Sequence, residues 1–373
     1  MTAALGLVAL GVLVLHWASV AVVWRRIARA RTGEGLLGRP RVTLIRPVCG
    51  LDTFDAETLA SSFRQDYPEY EVIFCAQRTG DPAIAVVDRL IAAYPLVRAR
   101  LMVGNDAVTR NPKLNNVWKG WHAATSDWIC MADANLMLPR DYLATVVDTW
   151  DAGCGLVSSP PVGTRAEGWG GRLEAAFLNG NQARLQLAAD SLGTGFAQGK
   201  TLFFNRRILA RAGGLAALGR DMAEDVAATR ITRALGLHVR LTPRPFAQPV
   251  GRKPLSAVLR RQLRWSRVRR AGFPALFALE PLNGGALPVV LAALALAGAG
   301  QPLALAALFA AAWYVPEWAL MARAGWPAGW RDAALLPVRD ALIPALWLAT
   351  LRRRGFDWRG TAMDLPESPE GAR

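Results

Sequence analysis

Hydrophobic positions along this chain fall into three regimes. Residues 3–24 are almost wholly apolar, interrupted by His16 and Ser19, and are followed by Arg25, Arg26, Arg29 and Arg31. Such a stretch is long enough to cross a bilayer as a helix. The cationic flank after it puts the next domain on the cytoplasmic side by the positive-inside rule. A cleaved leader carries its charge ahead of the apolar run; here the arginines follow it, so the pattern predicts a retained anchor over 1–24.

From Arg41 onward, short apolar runs alternate with helical spacing. Strands are predicted over Val42–Ile45, Glu71–Gln77, Arg100–Val103, Asp127–Met131 and Gly155–Ser158. Helices are predicted over Pro82–Tyr94, Lys113–Ala124 and Pro139–Trp150, with a long amphipathic helix over 172–189. This rhythm predicts an α/β domain over 41–272, a mostly parallel sheet with helices on both faces. Ligands of such sheets sit beyond the carboxyl ends of the strands, and Asp81 and Asp133 both fall just after strand ends.

After Pro274 apolar composition returns. Leu287–Ala297, Leu303–Leu320 and Leu335–Leu351 are membrane candidates within a C-terminal membrane region 286–351, the last interrupted by Arg339 and Asp340. The arginines near 323–331 and 352–354 favour two full spans plus a broken or interfacial segment. The tail 364–373 reads as disordered.

Composition supports a membrane protein. Hydrophobic residues make up 52% of the 373, and 44 Lys+Arg against 29 Asp+Glu give a formal charge of +15. The arginines cluster beside apolar runs, which suits an anionic membrane surface. No nucleic-acid partner is expected, because the most basic stretch lacks interleaved stacking aromatics beyond Trp265. Cys49, Cys75, Cys130 and Cys154 form no C-x-x-C pair and read as reduced residues of a cytosolic domain.

Several short stretches could carry chemistry. Asp133-Ala134-Asn135 follows a strand end, where it either binds a divalent metal or closes the strand as an Asx turn. Asp225 lies in the first turn of a predicted helix, as either a general base or a helix-start carboxylate. Asp221-x-x-Glu224 fits a capping box, so Glu224 reads as a cap. The stretch 254–270 is a basic amphipathic helix on which Arg261, Arg264 and Trp265 share a face. It could bind phosphate or lie on anionic lipid, and the two roles are compatible. Gly195 to Thr201 imitates a P-loop but is one residue short and leads into a strand, so it predicts only a turn near a substrate.

Together these pieces resemble the ceramide glucosyltransferase family, nucleotide-sugar transferases of the GT-A fold. The resemblance runs from about Thr43 to Glu280. It is carried by Arg46-Pro47-Val48-Cys49-Gly50-Leu51-Asp52, Asp66-Tyr67-Pro68, Asp81-Pro82-Ala83-Ile84 and Asn111-Pro112-Lys113-Leu114-Asn115-Asn116. Asp133, Ala223-Glu224-Asp225 and Arg261-x-x-Arg264-Trp265 complete it. It departs at Arg78, where the family carries its first aspartate, with Asp81 the nearest carboxylate.

The resemblance implies an inverting transfer from a UDP-sugar to the hydroxyl of a membrane lipid, diacylglycerol or ceramide, with a hopanoid as a further candidate. It implies a divalent ion (Mg2+ or Mn2+) at Asp133, nucleotide contacts from Asp52, Asp81, Lys113, Asn115 and Arg261, and catalysis by Asp225, Arg264 and Trp265. The enzyme would sit in a bacterial inner membrane with its catalytic domain facing the cytoplasm. Polysaccharide synthases share the aspartates and the Arg-Trp pair but need more spans than this chain offers.

Overall fold

The computed structural model describes residues 1–29, 35, 37–221 and 223–352, and the backbone of 356–358 and 361–363. Arg31 and the tail 364–373 lie outside the described residues.

Continuous apolar runs such as Val42–Ile45 make strands that are buried on both faces. Seven strands form the central sheet: β1 Val42–Val48, β2 Tyr70–Ala76, β3 Ala99–Val103, β4 Trp128–Ala132, β5 Cys154–Ser158, β7 Thr201–Asn205 and β8 His238–Leu241. Their order is β3-β2-β1-β4-β7-β5-β8. β1, β2, β3 and β4 pair in parallel, as do β5 and β8, and β7 alone runs antiparallel, between β4 and β5. One core packs Leu44, Phe74, Cys130 and Phe203 against the helix Tyr142–Asp148; the other packs Ile45, Ile73, Met131 and Phe204 against the helix Pro112–Ala123. The fold is therefore the mixed α/β sheet that the periodicity predicts. None of the four cysteines forms a disulfide; Cys75, Cys130 and Cys154 are buried, and Cys49 is partly exposed.

A second, two-stranded sheet pairs β6 Pro161–Glu167 with β9 Phe246–Arg252 in parallel. Over it lies one continuous helix, 168–191, with a π-helical middle at Phe177–Ala183. Its first turn carries Gly170 and Gly171 because a Cβ there would stand 2.1 Å from the carbonyl oxygens of Lys253 and Gly251 respectively.

Among the described residues, three helices are long and apolar enough to cross a membrane: Thr2–Arg29, Ala304–Arg323 and Trp330–Arg352. The helix Ala286–Gly298 has 13 residues. At about 1.5 Å per residue it falls well short of a hydrocarbon core about 30 Å thick. This corrects the expectation that Leu335–Leu351 is the broken segment: the short one comes first, and Leu335–Arg352 runs through Arg339 and Asp340. The reason is charge pairing. Arg339 donates to both oxygens of Glu317 on the neighbouring helix and, through Nε, to Asp340 at 2.6 Å. The Asp340 carboxylate in turn accepts from the Gly285 backbone N–H at 2.6 Å. All three side chains are fully buried.

The same arginine reaches the carbonyl of Ala176 in helix 168–191 at 3.3 Å. A Cβ at Gly180 in the π-helical turn would stand 2.0 Å from Glu317 Oε1. On the other side, Arg26 at the end of Thr2–Arg29 donates to the carbonyls of Leu241 and Thr242 at 2.6 and 2.9 Å and pairs with Asp190 at 2.6 Å. The apolar helices are thus bolted to the sheet domain through helix 168–191.

Removing Arg339 strands both carboxylates it pairs, whereas neutralising all three side chains does not. Arg339→Met is expected to destabilise the detergent-solubilised protein by about 3–5 kcal/mol. The triple variant Glu317→Leu/Arg339→Met/Asp340→Asn is expected to lose less than the single one. Thermal unfolding of the three proteins side by side checks this order.

Candidate active site

The site grows from four backbone features. β4 ends at Ala132, so Asp133 is the first residue beyond the strand. Antiparallel pairing sets Ala132 against Thr201, which brings Lys200 alongside Asp133; the Asp133 N–H donates to the Lys200 carbonyl at 3.1 Å. Asn111 caps the helix Pro112–Ala123, its side-chain oxygen accepting from the N–H groups of Lys113 and Leu114, with Pro112 in the first turn. That start aims Lys113 inward. Finally, the helix Glu224–Ala234 opens with two acidic residues in its first turn.

Side chains from these four points converge on the turn 198–201. Lys113 Nζ lies 2.7 Å from Asp133 Oδ1, 2.7 Å from Glu224 Oε1 and 2.6 Å from the Gly199 carbonyl. Lys200 Nζ lies 2.8 Å from Asp133 Oδ2 and 2.9 Å from Asn135 Oδ1. The other Glu224 oxygen accepts from Asn111 Nδ2 at 3.0 Å. Asp225 is held by backbone. Its oxygens accept the backbone N–H groups of Gly199 and Val226 at 3.0 and 2.9 Å. Gly199 leaves the room: a Cβ there would stand 2.9 Å from Glu224 Oε1 and 3.5 Å from Asp225 Oδ2.

These surroundings divide the acids. Burial pushes the Asp133 carboxyl up, but the ammoniums of Lys113 and Lys200 outweigh it and hold it well below the usual carboxylate range. Burial likewise opposes the charge on Lys113, and the Asp133 and Glu224 carboxylates overcome it, raising its pKa. At Asp225 burial and the neighbouring Glu224 carboxylate both act upward, and its pKa is pushed up to about 6.

Arg46, in β1, supports the Asp133 loop from below. It is completely buried, and its NH2 donates to the carbonyls of Thr58, Ala134 and Leu136 at 3.1, 3.0 and 3.1 Å. Burial lowers its pKa to about 10, which leaves it cationic at neutral pH.

Of the residues picked out in the sequence, Lys113, Asp133 and Asp225 meet in this cluster. Arg264 and Trp265 sit partly buried on the basic helix Leu255–Gly272. Arg261, on the same helix, pairs with the buried carboxylate of Glu174, and Asp52 pairs with Lys253 just before it.

Two residues expected to meet a nucleotide are engaged within the fold. Asp81 accepts the Gly50 N–H at 3.0 and 2.9 Å and the Ala83 N–H at 2.9 Å, which closes a loop and starts a helix. Asn115 exchanges hydrogen bonds with Thr109 and shapes the loop before Asn111. The cap reading of Glu224 does not hold: the N-cap is Ala223 with no side-chain cap, and Asp221 pairs with Arg230. Glu224 is instead a buried member of the cluster. Lys200 was passed over because its stretch reads as a failed P-loop; the turn before a strand was its one available signal.

Beside the cluster, a cavity of about 930 Å³ opens at the carboxyl ends of β1, β2 and β3. Gly50, Gln77, Arg78, Asp81 and Gly104 line part of it. No group of three His, Cys, Asp or Glu side chains capable of holding a metal occurs among the described residues. Asp133 and the Asn135 amide oxygen, joined through Lys200, do offer the oxygen donors a hard cation accepts. They suit an ion that takes its other ligands from phosphate and water.

Comparison with known proteins follows the same lines. The model of glycosyl transferase family 21 matches residues 1–370. Ceramide glucosyltransferase 3 of Caenorhabditis elegans is 28% identical over 246 residues, 65% of this chain and 54% of that protein. The ceramide glucosyltransferase of Komagataella phaffii is 39% identical over 111 residues, 29% of this chain and 22% of that protein. The chain thus spans about half the length of the Caenorhabditis relative. A mannosyltransferase of Pyrobaculum calidifontis, solved in complex with GDP-Man and Mn2+, superposes with a TM-score of 0.53 at 22% identity, covering 93% of this chain and 99% of that one. That last likeness is one of fold. With a sheet of GT-A type, acids gathered at its strand ends and a family match over nearly its whole length, the chain belongs to glycosyl transferase family 21.

Proposed function

We propose that the protein is an inverting glycosyltransferase that moves a sugar from a UDP-sugar to the hydroxyl of a membrane lipid. The observation that carries this reading is the pairing of two lysine-bridged acids, Asp133 and Glu224, with a third, Asp225, whose oxygens accept the backbone N–H groups of Gly199 and Val226. The first group suits a diphosphate, and the last suits a proton.

The donor nucleoside occupies the cavity beside Gln77 and Arg78, with its diphosphate toward Lys113, Lys200 and Asp133. Asp133, with Asn135 beside it, would hold a divalent ion, which when bound neutralises diphosphate charge. Lys113 and Lys200 add fixed positive charge at the same place. Asp225 takes the proton of the lipid hydroxyl as its oxygen attacks the anomeric carbon. The bond from that carbon to the phosphate oxygen breaks, and its electron pair leaves with UDP. One displacement inverts the anomeric centre. Arg264 and Trp265, on the helix between the site and the apolar helices, stabilise the departing UDP and border the acceptor mouth. The relatives are named for ceramide; the acceptor here is ceramide, diacylglycerol or a hopanoid alcohol. The arginines in the last turns of Thr2–Arg29 support a catalytic domain on the cytoplasmic face of a bacterial inner membrane.

Membranes containing the protein, incubated with several UDP-sugars and lipid acceptors, are expected to yield a glycolipid identifiable by mass spectrometry. A soluble polymer as the product would assign the chain to the polysaccharide synthases instead. Asp225→Asn is expected to lower kcat by about 10²–10⁴-fold with UDP affinity within about twofold. Unchanged lipid glycosylation at normal expression would remove Asp225 as the base.

The base must be ionised to work, so kcat/KM is expected to rise with pH through about 6 and to level off above it. Glu224→Gln removes the like charge that raises Asp225, so in that variant the same limb moves to lower pH. The pH profiles of both proteins, recorded with one acceptor, check the direction.

A further inference from the structure

The helix Trp330–Arg352 has the length and apolar character to cross a membrane, yet it touches the sheet domain from one end to the other. At its start Asp332 pairs with Arg172 of helix 168–191 at 2.7 Å. Near its middle Arg339 reaches the Ala176 carbonyl of the same helix at 3.3 Å. Close to its end Trp347 Nε1 donates to the Phe277 carbonyl at 2.9 Å, and Arg270 donates to the Thr350 carbonyl at 2.8 Å. From residue 332 to residue 350 the helix rises about 27 Å, close to a whole hydrocarbon core of about 30 Å.

The basic helix Leu255–Gly272 runs beside it in the same direction. Its start lies at helix 168–191, where a Cβ on Gly170 would stand 3.4 Å from the Leu255 nitrogen, two residues before Arg172 and its partner Asp332. Its end lies at Arg270, against Thr350. Arg260, Arg261, Arg264, Arg267, Arg269 and Arg270 all belong to this basic helix. Were Trp330–Arg352 to cross the bilayer, these arginines would be drawn through the hydrocarbon beside it, where each charge is costly. Arg331 at the start and Arg352-Arg353-Arg354 at the end put the same charge at both ends. A crossing would place one of these clusters on the side that the charge rule disfavours.

The exposed face gives the orientation. Ala334, Val338, Ala341, Ala345, Leu348 and Leu351 are exposed and recur at helical spacing, while Arg339, Asp340 and Thr350 are buried against the protein. A helix on a wetted surface turns its polar face outward; this one is inverted. Leu276, beside Phe277, and Leu279 are exposed as well and widen the apolar surface. At the other end the Arg331 guanidinium lies over the ring of exposed Trp330, 5.1 Å from its centroid, and both residue types suit the headgroup level.

We infer that Trp330–Arg352 lies in the plane of the membrane instead of crossing it, with its apolar stripe set into the boundary between headgroups and acyl chains. The bilayer is the one that holds Thr2–Arg29 and Ala304–Arg323. Continuity identifies lipid as the occupant: Arg339 pairs with Glu317 of Ala304–Arg323, so the stripe adjoins a helix that itself enters the bilayer. The chain after Arg352 then stays on the side of the sheet domain. Because the same helix holds Arg270, it sets the height of the basic helix, and so of Arg264 and Trp265, at the membrane surface.

Sidedness is read with a membrane-impermeant maleimide on the full chain in sealed membranes. A Cys49→Ser background serves, since Cys75, Cys130 and Cys154 are buried. One protein carries Leu96→Cys, at a fully exposed position of the sheet domain; another carries a cysteine appended after Arg373. Both are expected to label from the same side. Labelling from opposite sides means that Trp330–Arg352 crosses, and overturns the inference. Depth is read in vesicles from Val338→Cys and Leu348→Cys, ten residues apart on the stripe, each carrying a fluorophore quenched by lipids labelled at known depths. An in-plane helix gives two depths within about 5 Å of each other, whereas a crossing helix separates them by about 15 Å. Fluorophores that no lipid quenches mean that protein, such as a second copy of this chain, covers the stripe, and this also overturns the inference. The appended cysteine leaves the helix untouched, so sidedness decides the question even where a stripe variant fails to accumulate.

Discussion

The site depends on one ammonium. Lys113 stands between Asp133, Glu224 and the Gly199 carbonyl, within 2.7 Å of each. Three carboxylates close together and partly out of water repel one another, and burial adds to the cost of each charge. A cation among them converts that repulsion into a connected ion network, with Lys200 closing the other side of Asp133. The network also ties together elements that are far apart in the chain: the start of one helix, the end of β4, the turn before β7 and the start of another helix. Holding Lys113 in place takes two further groups. Asn111 caps its helix with one side-chain atom and holds Glu224 with the other. Arg46 grips the loop that follows Asp133 from within the sheet.

The sheet was legible because its signals are local. Val42–Ile45 and Glu71–Gln77 are apolar runs with few other uses, and strand ends in such a sheet are where polar loops gather. Asp133 and Asp225 could be found for the same reason, one after a strand and one opening a helix. What stayed hidden was long-range pairing. Nothing near Lys200 says that its strand inserts antiparallel next to β4, yet only that register sets it beside Asp133. Glu224 fits a capping box locally and is claimed instead by Asn111, a residue 113 positions away. Asp81 and Asn115 show the opposite case, side chains that also serve the fold. Their side chains looked free for a ligand, but the backbone N–H groups of Gly50, Ala83 and Thr109 needed acceptors.

The apolar helices follow the same logic with a different outcome. Arg339 and Asp340 read as a break because a lone charge is costly in an apolar setting. The cost disappears when Glu317 arrives from the neighbouring helix, and no single segment reveals that. The pairing reaches past the apolar helices to the Ala176 carbonyl, and Gly180 gives Glu317 its room. The π-helical turn in helix 168–191 lies at that contact. Helix 168–191 therefore faces the buried ions on one flank and Gln262 and Arg261 on another. This links the depth of the apolar helices to the position of the basic helix and its Arg264-Trp265 pair.

The difference between Glu224 and Asp225 shows how neighbouring acids acquire unlike roles. They are adjacent in sequence, share the first turn of one helix and feel the same positive helix end. Glu224 points to Lys113 and Asn111, and so it is bound into the ion network. Asp225 points to the turn and receives two backbone N–H groups. Those bonds favour its charged form, while burial and the charge on Glu224 disfavour it more, and the balance comes out at about 6. A carboxylate near that value is ionised at neutral pH yet basic enough to take a proton from an alcohol as it attacks. Glu224 thus sets the basicity of its neighbour by its charge, and Lys113 limits how far that effect goes by pairing with it. The proton chemistry proposed for Asp225 is in this sense a consequence of the same ammonium that assembles the site.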